Sequence, residues 1–184
     1  DPAAPADLKE TFTMRNILAA CPADKRWPSV AFKVLMQQFY AEVLRAAHEI
    51  QRVMARKLGE QEHFFTRAHN GENISLRLLY YPAQEQNTVS DGQLGAGAHT
   101  DYGFLTMLFQ GNVGGLQVLN NEKRWMDVPP EQGAVVVNSG DLLERWTNGT
   151  YRSTLHRVMP RTNGRDRLSI AMFIDPDTAT KVMP

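Results

Sequence analysis

The sequence predicts a mainly β fold with one long N-terminal helix, its strands closing antiparallel into a jelly roll or barrel. Three observations carry that prediction. An amphipathic run extends from Val30 to Leu58 without a Gly or Pro. From Ile74 onward the chain breaks into short apolar segments divided by turn signals such as GNVGG, PPEQG and TNGT. No second long helical pattern lies among those segments, so parallel βαβ units are not expected, and antiparallel closure protects many short edges.

Taken in order, residues 1–28 read as irregular, the remnant of an N-terminal region and a linker, with prolines at 2, 5, 22 and 28. Residues 29–184 read as one domain. Ser29 is a candidate N-cap for the helix over 30–58. Phe32, Leu35, Phe39, Val43, Ala46, Ile50, Val53 and Leu58 form an apolar stripe, and Gly59 is placed to stop the helix. A helix of that length needs a surface, expected to be the outside of the β core at 74–176. ISLRLLYYP opens that core; GAHTD, FLTMLFQ, GLQVL, RWMDV, GAVVVNSG, LLERW, YRSTLHRVM and RLSIAMFI follow as strand candidates.

Composition narrows the function classes. The 184 residues carry 20 Lys+Arg against 20 Asp+Glu, which argues against nucleic acid or an anionic membrane surface as partner. No apolar run approaches the roughly 20 residues that span a bilayer, and no signal-like start is present. The single cysteine, Cys21, excludes an internal disulfide and fits a reducing, cytoplasmic setting. Chemistry must come from a few placed residues.

His99 and Asp101 stand at i and i+2, so on extended backbone their side chains point the same way and Thr100 points the other. His156, in STLHRVMP, offers a second imidazole. Two histidines and a carboxylate on a β scaffold form the facial triad of non-haem Fe(II), although the same set also suits catalytic zinc. The alternative is a capped loop histidine beside an ordinary core histidine. Arg167 and Ser169 repeat the i, i+2 spacing, and a guanidinium fork beside a hydroxyl is a carboxylate clamp if it faces inward. The spacing leaves open which set of β residues faces in. Arg167 could instead belong to a basic surface with Arg161 and Arg165.

These residues carry a resemblance. RLLYYP (77–82), GAHTDYGFLTML (97–108), VGGLQVL (113–119), Trp125 before DVPP, VVNSGDLLERWTNG (136–149), YRSTLHRV (151–158) and RLSIAMFIDP (167–176) resemble the iron- and 2-oxoglutarate-dependent oxygenases of the isopenicillin N synthase-like family. The resemblance implies a double-stranded β-helix, the cupin-like jelly roll, with 29–184 a single catalytic domain. It implies Fe(II) held by His99, Asp101 and His156, and 2-oxoglutarate held at its distal carboxylate by Arg167, Ser169 and Tyr81. Where that family often has asparagine, this chain has Leu79. The implied activity is oxidation, foremost hydroxylation, of an unactivated C–H bond in a small organic substrate with O2, releasing succinate and CO2, by a monomer. Alternatives are an iron oxidase of the same fold that does not consume 2-oxoglutarate, and a non-catalytic β-barrel binding protein. A carboxylate at Asp101 argues against a halogenase. Family members are longer, so the 184 residues are expected to be a catalytic core or part of a longer protein.

The other candidates are assigned structural roles. His48 is expected on the helix surface, while His63 and His69 have no partner at ligand spacing. Asp141 and Glu144 sit in a segment expected to turn at Gly140 and Asp141 and to pack Leu143 and Trp146, and no catalytic histidine matches Cys21.

Overall fold

The computed structural model describes residues 5–17, 27–85, 89–160 and 164–183; Cys21 and Arg161 lie outside them. Helix α1 (Val30–Lys57) begins as the sequence predicts: Ser29 is extended and its Oγ accepts the Phe32 N–H at 3.1 Å. Leu58 caps its end, and Gly59 follows at φ +78°, the left-handed stop that favours glycine. The buried face is turned from the predicted stripe. Met36, Tyr40, Val43, Ala47, Met54 and Ala55 are buried, whereas Leu35 and Val53 are exposed. Ala47 and Ala55, both fully buried, belong to the core that the helix shares with the larger sheet.

Two antiparallel sheets form the jelly roll. The larger contains β1 (Glu10–Arg15), β2 (Ile74–Tyr81), β9 (Arg167–Ile174), β4 (Leu105–Gln110) and β7 (Val136–Ser139), in that spatial order. The smaller runs β3 (Ala96–His99), β8 (His156–Val158), β5 (Leu116–Leu119) and β6 (Trp125–Asp127). The larger sheet buries both faces. Ile74 and Leu76 of β2, Leu105 and Met107 of β4, and Met172 and Ile174 of β9 join one core with α1. Leu79, Tyr81 and Ala171 join Ala96, Leu116 and Val158 of the smaller sheet in a second core between the sheets. On β9 the alternation is thereby resolved: Arg167, Ser169 and Ala171 are buried and face the smaller sheet, while Leu168 is exposed on the other face.

Three segments depart from the sequence reading. Residues 1–28 are not irregular throughout: Glu10–Arg15 pair antiparallel with β2 from Glu10↔Tyr80 to Arg15↔Ser75. That strand covers the sheet edge, with Met14 buried and Phe12 meeting Phe32 of α1 edge-on. LLERW is not a strand. It belongs to helix α2 (Asp141–Trp146), whose six residues are too few to display a helical period. YRSTLHRVM contributes only His156–Val158 to β8.

The histidines outside the HxD pair also separate. His63 is exposed, with Nδ1 at 3.2 Å from Thr66 Oγ1. His48 is half-buried rather than a free surface group, because its Nε2 lies 3.0 Å from the His69 carbonyl. His69 is fully buried between Phe104 and Trp146, with ring centroids at 4.6 and 6.4 Å. Its Nδ1–H donates to Phe65 O at 2.8 Å, and Nε2 has no hydrogen-bond partner among the described residues. Burial pushes this imidazole down from its ordinary 6.5 to about 4, outweighing the Phe65 carbonyl, which favours the charged ring. The unfolded chain therefore takes up a proton that the folded chain resists. This contribution to stability is full above the ordinary value and is lost as pH falls toward 4, by about 3 kcal/mol. Urea titrations at pH 7.5 and 4.5 should show that loss, and His69→Phe, which cannot titrate, should reduce it.

Candidate metal centre and cavity

The structure brings His99, Asp101 and His156 together. One ligand atom from each lies within 4.8 Å of the others. His99 Nε2 is 4.0 Å and His156 Nε2 3.8 Å from Asp101 Oδ1, and the two rings are 4.3 Å apart. His99 ends β3 and His156 opens β8, and they are cross-strand partners in the smaller sheet. Asp101 lies just beyond β3, so the i, i+2 alignment comes from strand geometry carried past the last paired residue.

Every other polar atom of the trio is already engaged. His99 Nδ1 is 2.7 Å from Gly97 O, and His156 Nδ1 is 3.0 Å from Thr154 O. A carbonyl only accepts, so both Nδ1 atoms carry the proton and both Nε2 lone pairs are left toward Asp101. Asp101 Oδ2 accepts from Thr106 Oγ1 at 2.6 Å and Asn138 Nδ2 at 2.7 Å, which leaves Oδ1 toward the histidines. Asp101 is 8% exposed, and its Oδ1 faces those two imidazoles. Two bare imidazole nitrogens and one free carboxylate oxygen, all pre-aimed, are a donor set that fits Fe(II).

The backbone at this point is held from below. Asp141 N–H donates to Asp101 O at 2.7 Å, and Gly140 N–H donates to Phe104 O at 3.1 Å. A Cβ at Gly140 would run into the Gly103 carbonyl, so the glycine of NSGD is required by close approach. Asp141 accepts from Thr100 Oγ1 and Glu144 from the Ser153 N–H, at 3.1 and 2.6 Å. Both carboxylates of that segment are structural.

A cavity of about 90 Å³ opens between the sheets, with the trio in its wall. Tyr81, Arg167 and Ser169 line it on the larger sheet, where Tyr81 and Arg167 are cross-strand partners. Arg167 is 1% exposed; Nη1 donates to Ser169 Oγ at 3.1 Å, Nη2 to Gln110 Oε1 at 3.2 Å, and its Cζ sits 4.8 Å from the Tyr81 ring centroid. Burial raises the Tyr81 hydroxyl pKa, opposed by the nearby Arg167 cation, so the phenol stays protonated and able to donate. Leu79 is a buried part of the same wall.

Sequence reasoning singled out none of Thr106, Asn138 and Gln110. All three are inward residues of β4 or β7, and polar side chains at inward positions of FLTMLFQ and VVNS are the signal that could have found them. Removing a hydrogen-bond partner from a metal-ligating carboxylate costs about 10- to 100-fold in metal affinity. Asn138→Leu is expected to weaken Mn(II) and Fe(II) binding by that order, measured by anaerobic titration, while the His–Asp–His set remains.

An antiparallel jelly roll with a His–Asp–His cluster inside its barrel defines a class: non-haem iron proteins of the cupin-like architecture. Residues 73–176 match the 2OG-Fe(II) oxygenase superfamily, and the chain belongs to it. Its cofactors are accordingly Fe(II) and 2-oxoglutarate. The chain is 38% identical over 167 residues to the 2-oxoglutarate-Fe(II) type oxidoreductase hxnY of Emericella nidulans, covering 86% of this chain and 48% of that protein. It is 34% identical over 183 residues to 1-aminocyclopropane-1-carboxylate oxidase 1 of Oryza sativa subsp. japonica, covering 97% of this chain and 55% of the oxidase. A full-length Neurospora crassa protein, crystallised in complex with alpha-KG, superposes with a TM-score of 0.88 at 35% identity, over 98% of this chain and 58% of that one. The chain thus spans about half the length of the curated relatives it matches.

Proposed function

We propose that this protein is an Fe(II)- and 2-oxoglutarate-dependent dioxygenase that oxidises, foremost hydroxylates, an unactivated C–H bond of a small organic molecule with O2, releasing succinate and CO2. One observation carries the reading: a single cavity holds a pre-aimed His99–Asp101–His156 set and, on a different wall, a buried guanidinium and hydroxyl. In this reading the trio holds iron through His99 Nε2, Asp101 Oδ1 and His156 Nε2. Arg167, Ser169 and Tyr81 hold the distal carboxylate of 2-oxoglutarate, the fork by paired charge-assisted hydrogen bonds and the hydroxyls by donation. Held there, Fe(II) and 2-oxoglutarate would supply the oxidising chemistry, with decarboxylation of the cosubstrate coupled to oxidation of the substrate by O2. The chain orients them, and Leu108, Leu116, Val136 and Val158 give the cavity wall an apolar part that disfavours water.

No helix of the described residues is long and apolar enough to cross a membrane. A reducing, cytoplasmic setting accords with one cysteine in 184 residues and would help keep iron ferrous. The test is stoichiometric: the full-length protein with Fe(II) should form one succinate per substrate oxidised. Turnover that proceeds without 2-oxoglutarate would instead place it with the oxidases.

A further inference from the structure

Resting on that reading, we infer that the substrate carries a carboxylate and that Arg77 receives it. The inner face of the larger sheet sets the geometry. Arg77 opposes Ala171 across β2 and β9, and Ala171 in turn opposes Leu108 on β4. One step further along, Phe173 opposes Thr106, the residue that holds Asp101 Oδ2. In the other direction the register runs through Leu79↔Ser169 to Tyr81↔Arg167. Arg77 therefore flanks the metal end of the cavity, two strands across from β4, whereas Arg167 flanks the opposite end.

The charges lining the cavity separate in the same way. Lys9, Arg77 and Arg167 are cationic, and Asp101 is the one carboxylate among the described lining residues. Asp101 faces the histidines, and the proposed clamp assigns Arg167 to the cosubstrate. Lys9 Nζ is neutralised by Asp7 Oδ2 at 2.8 Å, and Asp7 Oδ1 is itself fixed by the Gly97 N–H at 2.8 Å. Arg77 has a different environment. Its Nε donates to the neutral Thr13 Oγ1 at 3.2 Å, its Cζ lies 5.0 Å from the Phe173 ring centroid, and no described carboxylate pairs with it. The hydroxyl and the ring fix the plane of a half-buried guanidinium and neutralise none of its charge. Against a wall of Leu79, Val118 and Val136, such a fork favours a carboxylate over a neutral isostere.

The experiment is equilibrium binding to the full-length protein loaded with Mn(II) and 2-oxoglutarate, which prevents turnover. The probes are benzoate, phenylacetate and hexanoate, each compared with its amide. At least one acid should bind tenfold or more tightly than its amide. Arg77→Met should bring that ratio within twofold, with 2-oxoglutarate affinity and the circular dichroism melt close to wild type. Lys9→Met, removing a cation already paired, should change the ratio by less than threefold. Arg77 as a mere brace between β1 and β2 predicts a shifted melt and no acid preference to lose. Equal binding of every acid and amide, no binding of any, or a preference that survives Arg77→Met overturns the inference. Failure of wild type to bind 2-oxoglutarate with Mn(II) overturns the underlying function, and the metal and cosubstrate titrations report that separately.

Discussion

Asp101→Ala is expected to abolish detectable turnover and to weaken Fe(II) binding beyond the about 10- to 100-fold that loss of an outer partner costs. The expectation follows from the geometry of one side chain. Oδ1 is the oxygen that both imidazoles approach, at 4.0 and 3.8 Å, while Oδ2 is committed to Thr106 and Asn138. Alanine removes the only anionic ligand of the trio and leaves the Thr106 hydroxyl and the Asn138 amide, both hydrogen-bond donors, without their acceptor. Leaving those donors orphaned should cost roughly 1–3 kcal/mol each at most, so the barrel stays folded. Anaerobic Fe(II) titration, succinate release and far-UV circular dichroism measured together check this. Iron affinity within twofold of wild type would refute the assignment of Asp101 as a ligand.

Arg167→Leu is expected to raise the concentration of 2-oxoglutarate needed for half-saturation by about 100-fold, the scale of a lost charge-assisted pair. Its effect on stability should be small or favourable. The guanidinium is 1% exposed, so leucine relieves the cost of burying a charge, which offsets the donors that Ser169 Oγ and Gln110 Oε1 lose. Binding and stability thus move independently, which a purely structural arginine does not predict. Arg167→Lys should recover little, because a point charge cannot address Ser169 and Gln110 while meeting both oxygens of a carboxylate. Cosubstrate titration of metal-loaded protein, paired with urea denaturation, gives both quantities.

Much of this site was legible because β-strand periodicity is short and rigid. HxD and RxS name residues that must share a face, and a distant histidine between them completes a recognisable order. Their partners were not legible in the same way. Thr106 and Asn138 matter only because β4 and β7 are neighbours, a pairing no local pattern announces. The facing of Arg167 was undecidable from RLSIAMFI, since both alternating sets contain residues fit for burial. It is settled by α1 lying on Met172 and Ile174. The same limit explains the helix: its apolar residues outnumber one stripe, and the sheet, not the sequence period, selects Met36, Tyr40 and Ala47 over Leu35 and Val53. Strand β1 was hidden for a further reason. ETFTMR buries only Met14, so an edge strand of this kind has almost no hydrophobic signature.

The anchoring of Asp101 has a mechanical consequence. Both histidines belong to the smaller sheet, while the hydrogen bonds that hold Asp101 come from β4 and β7 of the larger one. The carboxylate is a hinge pin between two jaws. An ion gripped by all three residues would clamp the jaws, and an opening motion that parted them would pull the donor set apart before it disturbed either sheet. Slackness in the cavity and loss of the ion are then one event seen from two sides, so packing defects remote from the centre, wherever they let the sheets drift, should surface first as a leaking metal.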